Sequence, residues 1–235
     1  MTERGRLRVQ RERHAFHVGP SSLRWDGDAL TIAIDEWSVP LPRRVRGTVR
    51  VHPQGLCHYA AAIDDAGRHR WGPVAPCARV EVRMEAPSLR WQGHGYLDSN
   101  EGDEPIAVPF AHWDWMRASL PDGRTAVAYD VRLRRGGAPR LIGATFAADG
   151  AVDDVALPPR QALPPTLWRV HRQVRSEAAP RVIMPLEDTP FYARSLLQAT
   201  LQGRAVTAVH ETLSIPRLDS PITRLMLPWR MPRRR

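Results

Sequence analysis

The sequence predicts an all-β protein, and two patterns along the chain support this prediction. Short segments in which apolar and charged residues alternate recur throughout, and such alternation is typical of half-buried strands. Turns rich in glycine and proline separate these segments at roughly even spacing, and the chain of 235 residues contains 22 prolines. Segments with helical periodicity are scarce. Short strands joined by turns of this kind indicate a β-barrel or a β-sandwich.

The clearest hairpin signal is the turn Asp26-Gly27, because an Asp-Gly pair favours the tight turns that join two strands. The alternating segments on either side of it are therefore predicted to pair. The strands predicted before residue 155 are 22–25, 29–36, 46–52, 56–63, 78–84, 88–91, 125–133 and 141–146.

A proline-rich segment divides the chain. Residues 156–166, ALPPRQALPPT, hold four prolines, which is typical of a stiff connector. We therefore expect a first β region at 1–155 that carries the functional site. A second β region at 167–235 would pack on it or complete a second barrel, so that the protein has two barrel-like halves with little helix. Elements predicted in the second region are strands at 167–174, 181–186, 191–198 and 205–213 and a short helix at 220–227.

The charge of the chain bears on its partners. The formal net charge is +9, and arginine supplies every fixed positive side-chain charge because the sequence contains no lysine. A Schiff base on lysine is thereby excluded. The arginines are scattered rather than striped, so nucleic acid is not predicted as a partner. Peripheral contact with an anionic membrane fits better, since each basic residue near such a surface gains about 1 kcal/mol. The closing Arg233-Arg234-Arg235 could add to this contact, although a solvated tail is the simpler interpretation.

The sequence shows no targeting signal, no membrane-spanning segment and no zinc-binding cysteine pattern. The opening MTERGRLRVQ lacks the apolar segment of a signal peptide, and no run approaches the roughly 20 apolar residues that a spanning helix needs. We expect a location in the cytoplasm of a bacterium or at the surface of its membrane. Cys57 and Cys77 fit no zinc pattern and are expected to be buried thiols.

Two short motifs place candidate functional side chains on strands. Residues i and i+2 of a strand point to the same face. His69 therefore pairs with Trp71, and Tyr96 pairs with Asp98. If the strands that bear these pairs are neighbours, the four side chains converge on one cavity.

Three further residues are predicted to line the path of a substrate. Trp113 and Trp115 share a strand face by the same spacing, and they are interpreted equally well as the wall of a tunnel or as core. His94 stands two residues before Tyr96.

Several long stretches resemble one known family. They are GPSSLRWDGDALTIAIDE, PLPRRVRG, AGRHRWGPVAPCARVEV, RWQGHGYLDSNEGDEPI, FAHWDWMRA, HETLSIPRLDS and LPWRMPRR, and together they cover nearly the whole chain. These runs are similar to those of carotenoid 1,2-hydratases, also called hydroxyneurosporene synthases. Members of that family normally carry a further segment before the position of Met1 here.

The resemblance implies a lipocalin-like (calycin) antiparallel β-barrel that uses no cofactor. No metal is predicted either, because His58, His69 and His94 are not at metal-ligand spacing. It implies addition of water across the terminal C1–C2 double bond of acyclic carotenoids such as neurosporene and lycopene. It also implies functional roles for His69, Trp71, Tyr96 and Asp98, each matched here by residue type.

Hydration of an isolated alkene sets three requirements. The alkene is a very weak base, so a protonated acid must be held at one carbon. The walls must tolerate a tertiary carbocation, and one water must be controlled. Asp98 is the candidate acid, because burial of a carboxyl group disfavours its charged form. The ring faces of Trp71 and Tyr96 can stabilise the cation. His69 can hold the proton of the acid or accept one from the water.

Structural interpretations stay open beside these roles. Tyr96 and Asp98 could anchor a turn, because the following Ser-Asn-Glu-Gly is turn chemistry, and Trp71 could be core. His210-Glu211 could support a site or end a strand. The chain has neither a GxGxxG loop nor a GxSxG elbow. Two other functions remain: a lipocalin-like carrier of hydrophobic isoprenoids without catalysis, and a hydratase or cyclase that acts on another terpenoid.

Overall fold

The computed structural model describes residues 3–39, 41–230 and 233–234. Met1 and Arg235, considered above as the start of the chain and the end of a basic tail, lie outside the described residues. Two large antiparallel sheets, sheet I and sheet II, face each other and hold most of the secondary structure. In the part of the chain that the structure describes, no helix is long and apolar enough to cross a membrane.

Sheet I is built from the first half of the chain. A two-residue strand, β1 (Glu3–Arg4), and a 3₁₀ turn at Arg6–Arg8 precede it. Its strands are β2 (Val9–Arg11), β3 (Ala15–Val18), β4 (Ser21–Trp25), β5 (Leu30–Trp37), β6 (Arg44–Pro53), β7 (Ala61–Ala62), β8 (His69–Ala86) and β9 (Leu89–Gly102). Their order is β2-β3-β4-β5-β6-β8-β7, and β9 also pairs with β8. The Asp-Gly hairpin prediction is confirmed, because β4 pairs with β5 and Asp26 Oδ1 accepts the N–H of Ala29 at 2.7 Å.

Sheet II has the order β13-β12-β11-β10-β18-β17-β16. The strands and helices from residue 110 onward are β10 (Phe110–Ser119), β11 (Thr125–Leu133), β12 (Arg140–Phe146), β13 (Val152–Asp154), β14 (Arg160–Ala162), β15 (Gln173–Arg175), β16 (Arg181–Asp188), β17 (Tyr192–Leu201), β18 (Arg204–Ser214), α1 (Ile215–Leu218), α2 (Pro221–Arg230) and β19 (Arg233–Arg234). Among the strands that the structure describes, β14 pairs with β15 alone, and β19 pairs in parallel with β1. The predicted short helix corresponds to α2.

The all-β class with little helix is confirmed, and the strands form two facing open sheets within the described residues rather than a closed barrel. The two edge strands of sheet II explain why no further strand pairs with that sheet among the described residues. β13 has three residues, and β16 carries Pro185, which cannot donate to a further strand. Because β18 pairs with β10, strands on both sides of residues 156–166 share sheet II. The division of the chain at that segment stays a prediction.

Two predicted strands are much shorter than expected. Residues 56–63 contribute only β7, and 167–174 contribute only the first two residues of β15. In the second case the chain turns at Arg169, which has a φ of +53° and whose N–H bonds the carbonyl of Thr166. A left-handed residue of this kind interrupts an extended strand.

The core lies on both faces of sheet II. Between the sheets, large aromatic side chains such as Trp71, Phe110 and Phe146 are fully buried. On the opposite face, the ribbon β14–β15 and its flanking segments cover a second apolar cluster that includes Met116 and Leu197. Consequently seven consecutive residues of β11 are buried, with no alternation between faces.

Candidate active site

The cavity between the two sheets has a volume of about 650 Å³. Aromatic and ionisable side chains line it. Sheet I contributes Trp71, Trp91, Tyr96, Asp98 and Asn100. Sheet II contributes Trp113, Trp115, Arg117, Tyr129, Arg194 and Glu211, with Leu186 at the edge. The structure thus brings three of the four central predicted residues and both predicted tryptophans of β10 into one space.

Asp98 is held by two neutral donors on a single oxygen. The indole Nε1 of Trp71 donates to Oδ2 at 2.8 Å, and the hydroxyl of Tyr96 donates to the same atom at 3.3 Å. Within the described residues no donor is bonded to Oδ1. The carboxyl group is therefore fixed in orientation while one of its oxygens stays available to the cavity.

Local irregularity of β8 helps to aim these side chains. The register between β8 and β9 shifts on both sides of Ala75, opposite the segment that carries Tyr96 and Asp98. Proline occupies positions 73 and 76 of β8, and a proline cannot donate a hydrogen bond to the neighbouring strand. Bulges of this kind re-aim side chains next to functional sites.

The two tyrosines of the cavity are held in the neutral form. Burial, reinforced by the charge of Asp98, raises the pKa of Tyr96 far above its ordinary value. Burial also raises the pKa of Tyr129, and the charges of Asp98 and Glu211 add to that shift. Both hydroxyls therefore keep their protons at any physiological pH.

Aromatic contacts connect the two sheets across the cavity. The rings of Tyr96 and Trp115 lie 5.5 Å apart between centroids, and those of Trp71 and Tyr129 lie 5.7 Å apart in an edge-to-face arrangement. Such pairs add about 0.5–1.5 kcal/mol beyond the burial of their area. They present several ring faces to whatever occupies the cavity.

His69 lies outside this cavity. Its Nδ1 is 3.2 Å from Oδ2 of Asp64, and its Nε2 is 2.9 Å from the carbonyl oxygen of Glu104. Both neighbours are acceptors, so both bonds form together only when each ring nitrogen carries a proton. The direct hydrogen bond from His69 to Asp98 that the sequence suggested is absent from the described contacts.

Strand register explains this separation. Asp98 is opposite Pro73, so Trp71 is its diagonal neighbour, and a long indole can span that diagonal. His69 is four residues from Pro73 along β8, which is about 13 Å at about 3.3 Å per residue. It is opposite Gly102, where an added Cβ would be 2.6 Å from Cδ2 of His69. His69 therefore packs against glycine at the far end of the β8–β9 hairpin.

Asp64, His69 and Glu104 are the three side chains of one potential metal-binding group. Burial opposes the charge of Asp64, but hydrogen bonds from His69 outweigh burial and hold the pKa of Asp64 below its ordinary value. Arg68 Nη1 is bonded to Oε2 of Glu104 at 2.8 Å. Because the ligand atoms already have protein partners, the group fits an ionic clamp better than a metal site.

His94 lines a neighbouring cavity of about 620 Å³ rather than the one that holds Asp98. Arg117 and Val209 line both cavities, so the two spaces adjoin. The guanidinium carbon of Arg117 lies 5.5 Å from the ring centroid of Tyr96. Burial lowers the pKa of Arg117.

Several cavity residues were missed by the sequence analysis. Tyr129 was hidden because β11 is buried on both faces and so shows no alternation. Arg117 could have been found, since it follows Trp115 at the same-face spacing. The side chains of His210 and Glu211 lie on opposite faces of sheet II. Glu211 lines the cavity, while His210 is buried on the other side of sheet II and bonds the carbonyl of Gln173 at 2.8 Å.

Comparison with known proteins gives clear matches. The family model described as carotenoid hydratase CrtC matches residues 1–235. An acyclic carotenoid 1,2-hydratase of Rubrivivax gelatinosus is 55% identical over 236 residues, which cover 100% of this chain and 58% of the relative. The enzyme of the same name from Thiocapsa roseopersicina is 50% identical, over 99% of this chain and 58% of the relative. The chain thus spans 58% of the length of these two relatives.

Two solved structures share the fold. A protein solved under the name AttH from Nitrosomonas europaea superposes with a TM-score of 0.62 at 14% identity, over 88% of this chain and 71% of that chain. Kievitone hydratase from Nectria haematococca superposes with a TM-score of 0.51 at 10% identity, over 85% of this chain and 70% of that chain. The lipocalin-like class predicted for the chain is confirmed.

Proposed function

Because the chain belongs to the carotenoid hydratase CrtC family, we propose that it adds water across the terminal C1–C2 double bond of an acyclic carotenoid such as neurosporene or lycopene. One observation supports this function above the others. A carboxyl group, Asp98, is fixed by neutral donors with one oxygen available to a cavity walled by aromatic rings.

Asp98 is the proposed acid. With Oδ2 engaged by Trp71 and Tyr96, the acidic proton sits on Oδ1, where it faces the bound alkene. Transfer of that proton to C2 leaves a tertiary carbocation at C1. A positioned general acid typically contributes about 100- to 10,000-fold to the rate.

The aromatic walls are proposed to stabilise the cation. Trp71, Tyr96 and Trp115 present ring faces or edges within the cavity, and their mutual contacts limit their movement. A cation over such a ring gains about 0.5–2 kcal/mol, and more when water is excluded. Trp113 extends the same wall along β10.

His69 is proposed to position the site rather than to exchange protons with the substrate. Its bonds to Asp64 and to the Glu104 carbonyl tie two loops to the end of the β8–β9 hairpin. That hairpin carries Trp71, Tyr96 and Asp98. We propose further that the reaction needs no cofactor, because one water molecule supplies every atom that is added in the net reaction.

The polyene tail is proposed to extend from the Asp98 cavity into the adjoining space beside His94. The two cavities meet at Arg117 and Val209. A carotenoid is far longer than either cavity alone, so a substrate with its end group at Asp98 needs such an extension.

Peripheral contact with an anionic membrane is proposed for the mouth of the cavity. Acyclic carotenoids are hydrocarbons that reside in the bilayer, and two half-exposed apolar side chains, Trp91 of β9 and Leu186 of β16, line both the cavity and its opening. Leu89 and Met184, also about half exposed, flank them on the same edge strands. The protein would then work at the surface of a bacterial membrane.

Replacing Trp91 or Leu186 with serine should weaken binding to vesicles of anionic phospholipid about fivefold each, because about 1 kcal/mol of apolar burial is lost. Cosedimentation with vesicles measures this directly and requires no turnover. Leu7→Ser is the matched control, since Leu7 is 97% exposed and lies outside the cavity lining. Equal binding by all three variants would contradict the proposed contact.

The proposed activity is tested by expressing this chain in cells that accumulate lycopene. Chromatography with mass spectrometry should find a carotenoid heavier by one water. Because the chain spans 58% of two relatives, a version extended to their length serves as a parallel sample. Tight binding of lycopene without any hydrated product from either version would instead support a carrier.

A further inference from the structure

We propose that Glu211 is a second catalytic residue, which takes a proton from the attacking water on the side of the cavity opposite Asp98. This inference rests on the proposed hydration. Hydration needs an acceptor for the proton that water loses. His69, which the sequence suggested for that step, lies outside the cavity that holds Asp98.

Register places Glu211 in a row of cavity-lining side chains. On β10 and its neighbours, Trp115 is opposite Tyr129 on one side and opposite Glu211 on the other, and Glu211 is in turn opposite Arg194. Directly opposite residues share a face, with Cβ atoms about 5 Å apart. All four line the cavity from sheet II, while Asp98 lines it from sheet I.

Contacts between the sheets bring this row close to the acid. Trp115 touches the ring of Tyr96, and Tyr129 touches the ring of Trp71. Tyr96 and Trp71 are the two donors to Asp98. Asp98 and Glu211 therefore line one cavity from two different walls.

The partners of the two carboxyl groups suit opposite roles. Oε1 of Glu211 accepts a hydrogen bond from Nε of Arg194 at 2.8 Å, so a guanidinium stabilises its charged form. Asp98 is held instead by an indole and a phenol, which are neutral. Arg117, which also lines the cavity, lies over the ring of Tyr96 and forms no ion pair among the described contacts. The two carboxyl groups of the cavity thus differ in their partners, because Glu211 is ion-paired and, within the described residues, Asp98 is not.

The steps balance in atoms and charge. The O–H bond of Asp98 breaks, and the π electrons of the alkene form the new C2–H bond, leaving the cation at C1. The water oxygen forms the C1–O bond as one of its O–H bonds breaks, and that proton passes to Glu211. Return of the proton from Glu211 to Asp98 through solvent restores the site, and the net reaction is alkene plus water to tertiary alcohol.

Glu211→Gln should lower hydration about 100-fold or more, within the range for a general base. The carbocation should still form, because Asp98 is unchanged, and it should then revert by losing a proton. In D₂O the recovered carotenoid of this variant should therefore carry deuterium, with a higher ratio of deuterated alkene to alcohol than in the unaltered chain. A merely structural role would lower deuteration and hydration together.

Three further variants sharpen the result. Asp98→Asn should give neither deuterium exchange nor alcohol, Glu211→Asp should recover part of the hydration, and exposed Glu187→Gln should behave like the unaltered chain. Unchanged thermal unfolding confirms that Glu211→Gln is folded. Hydration at the unaltered rate, or parallel loss of exchange and hydration, overturns the role of Glu211 alone. Absence of alcohol from both the unaltered chain and the version extended to the length of the relatives overturns the proposed function and this inference with it.

Discussion

Replacing Asp98 with asparagine should lower carotenoid hydration about 100- to 10,000-fold and leave the fold intact. Asparagine has nearly the same shape, and its carbonyl oxygen can accept the bonds from Trp71 and Tyr96 that now end on Oδ2. It has no acidic proton to give to the alkene. The measurement is formation of the hydrated product from lycopene by the purified variant, together with its thermal unfolding curve.

Asp28→Asn is the matched control, because Asp28 is exposed in the β4–β5 turn and makes no side-chain contact among those described. It should retain full activity. A folded Asp98→Asn protein that still hydrates lycopene within tenfold of the unaltered rate would rule out Asp98 as the acid. Loss of folding would show instead that the carboxyl group is needed for structure.

Alternation along the chain predicted most of the strands that border the cavity, although β8 and β9 are longer than predicted and no bounds were predicted for β10. The period of two predicted the same-face pair Tyr96 and Asp98 and the pair Trp113 and Trp115, and all four line one space. It could not supply the register between strands. A shift of two residues along β8 decides whether Trp71 or His69 reaches Asp98, and the bulges beside Ala75 set that shift.

The cavity residues of sheet II show a second limit of prediction from the sequence. Glu211 reaches the cavity because β18 pairs with β10, a strand far from it in sequence, and Tyr129 reaches it from β11 on the other side of β10. The sequence predicted β11 and β18 as strands, but one strand with both faces buried has no pattern that distinguishes its cavity face from its other face. Position in the sheet, and therefore function, follows from the topology.

The same topology explains why the proline-rich segment 156–166 stays close to sheet II. Its strand β14, with β15, is joined to β11 by one buried carboxylate. Arg175 donates to Asp130 from Nε at 2.6 Å and from Nη2 at 2.8 Å, and Arg160 donates from Nη2 at 2.8 Å. Asp130 is 6% exposed. Loss of this carboxylate would leave two guanidinium groups without their acceptor over the apolar cluster of sheet II.

Asp130→Asn should therefore lower the free energy of unfolding by about 3 kcal/mol, the lower end of the range for breaking a buried ion pair. The lower end applies because the Arg160 side chain is 37% exposed and can regain water. Urea unfolding at neutral pH measures the change. Asp153→Asn, which removes an ion pair on a 71% exposed carboxylate, is the control and should change stability by less than about 0.5 kcal/mol.

The dependence of stability on acidic pH should reveal the same ion pairs between Asp130 and the two arginines. Burial alone would raise the pKa of Asp130, but hydrogen bonds from Arg175 and Arg160 outweigh burial and hold the pKa below its ordinary value. The unfolded chain then binds a proton at higher pH than the folded protein does. The stabilisation is complete above about pH 4, where the unfolded group is ionised, and is lost as the pH falls through the folded-state pKa.

The free energy of unfolding should consequently fall less steeply with decreasing pH, along the acid limb of the stability curve, for Asp130→Asn than for the unaltered chain or for Asp153→Asn. Parallel acid limbs would mean that other buried carboxylates, such as Asp64 and Asp114, account for the loss of stability in acid.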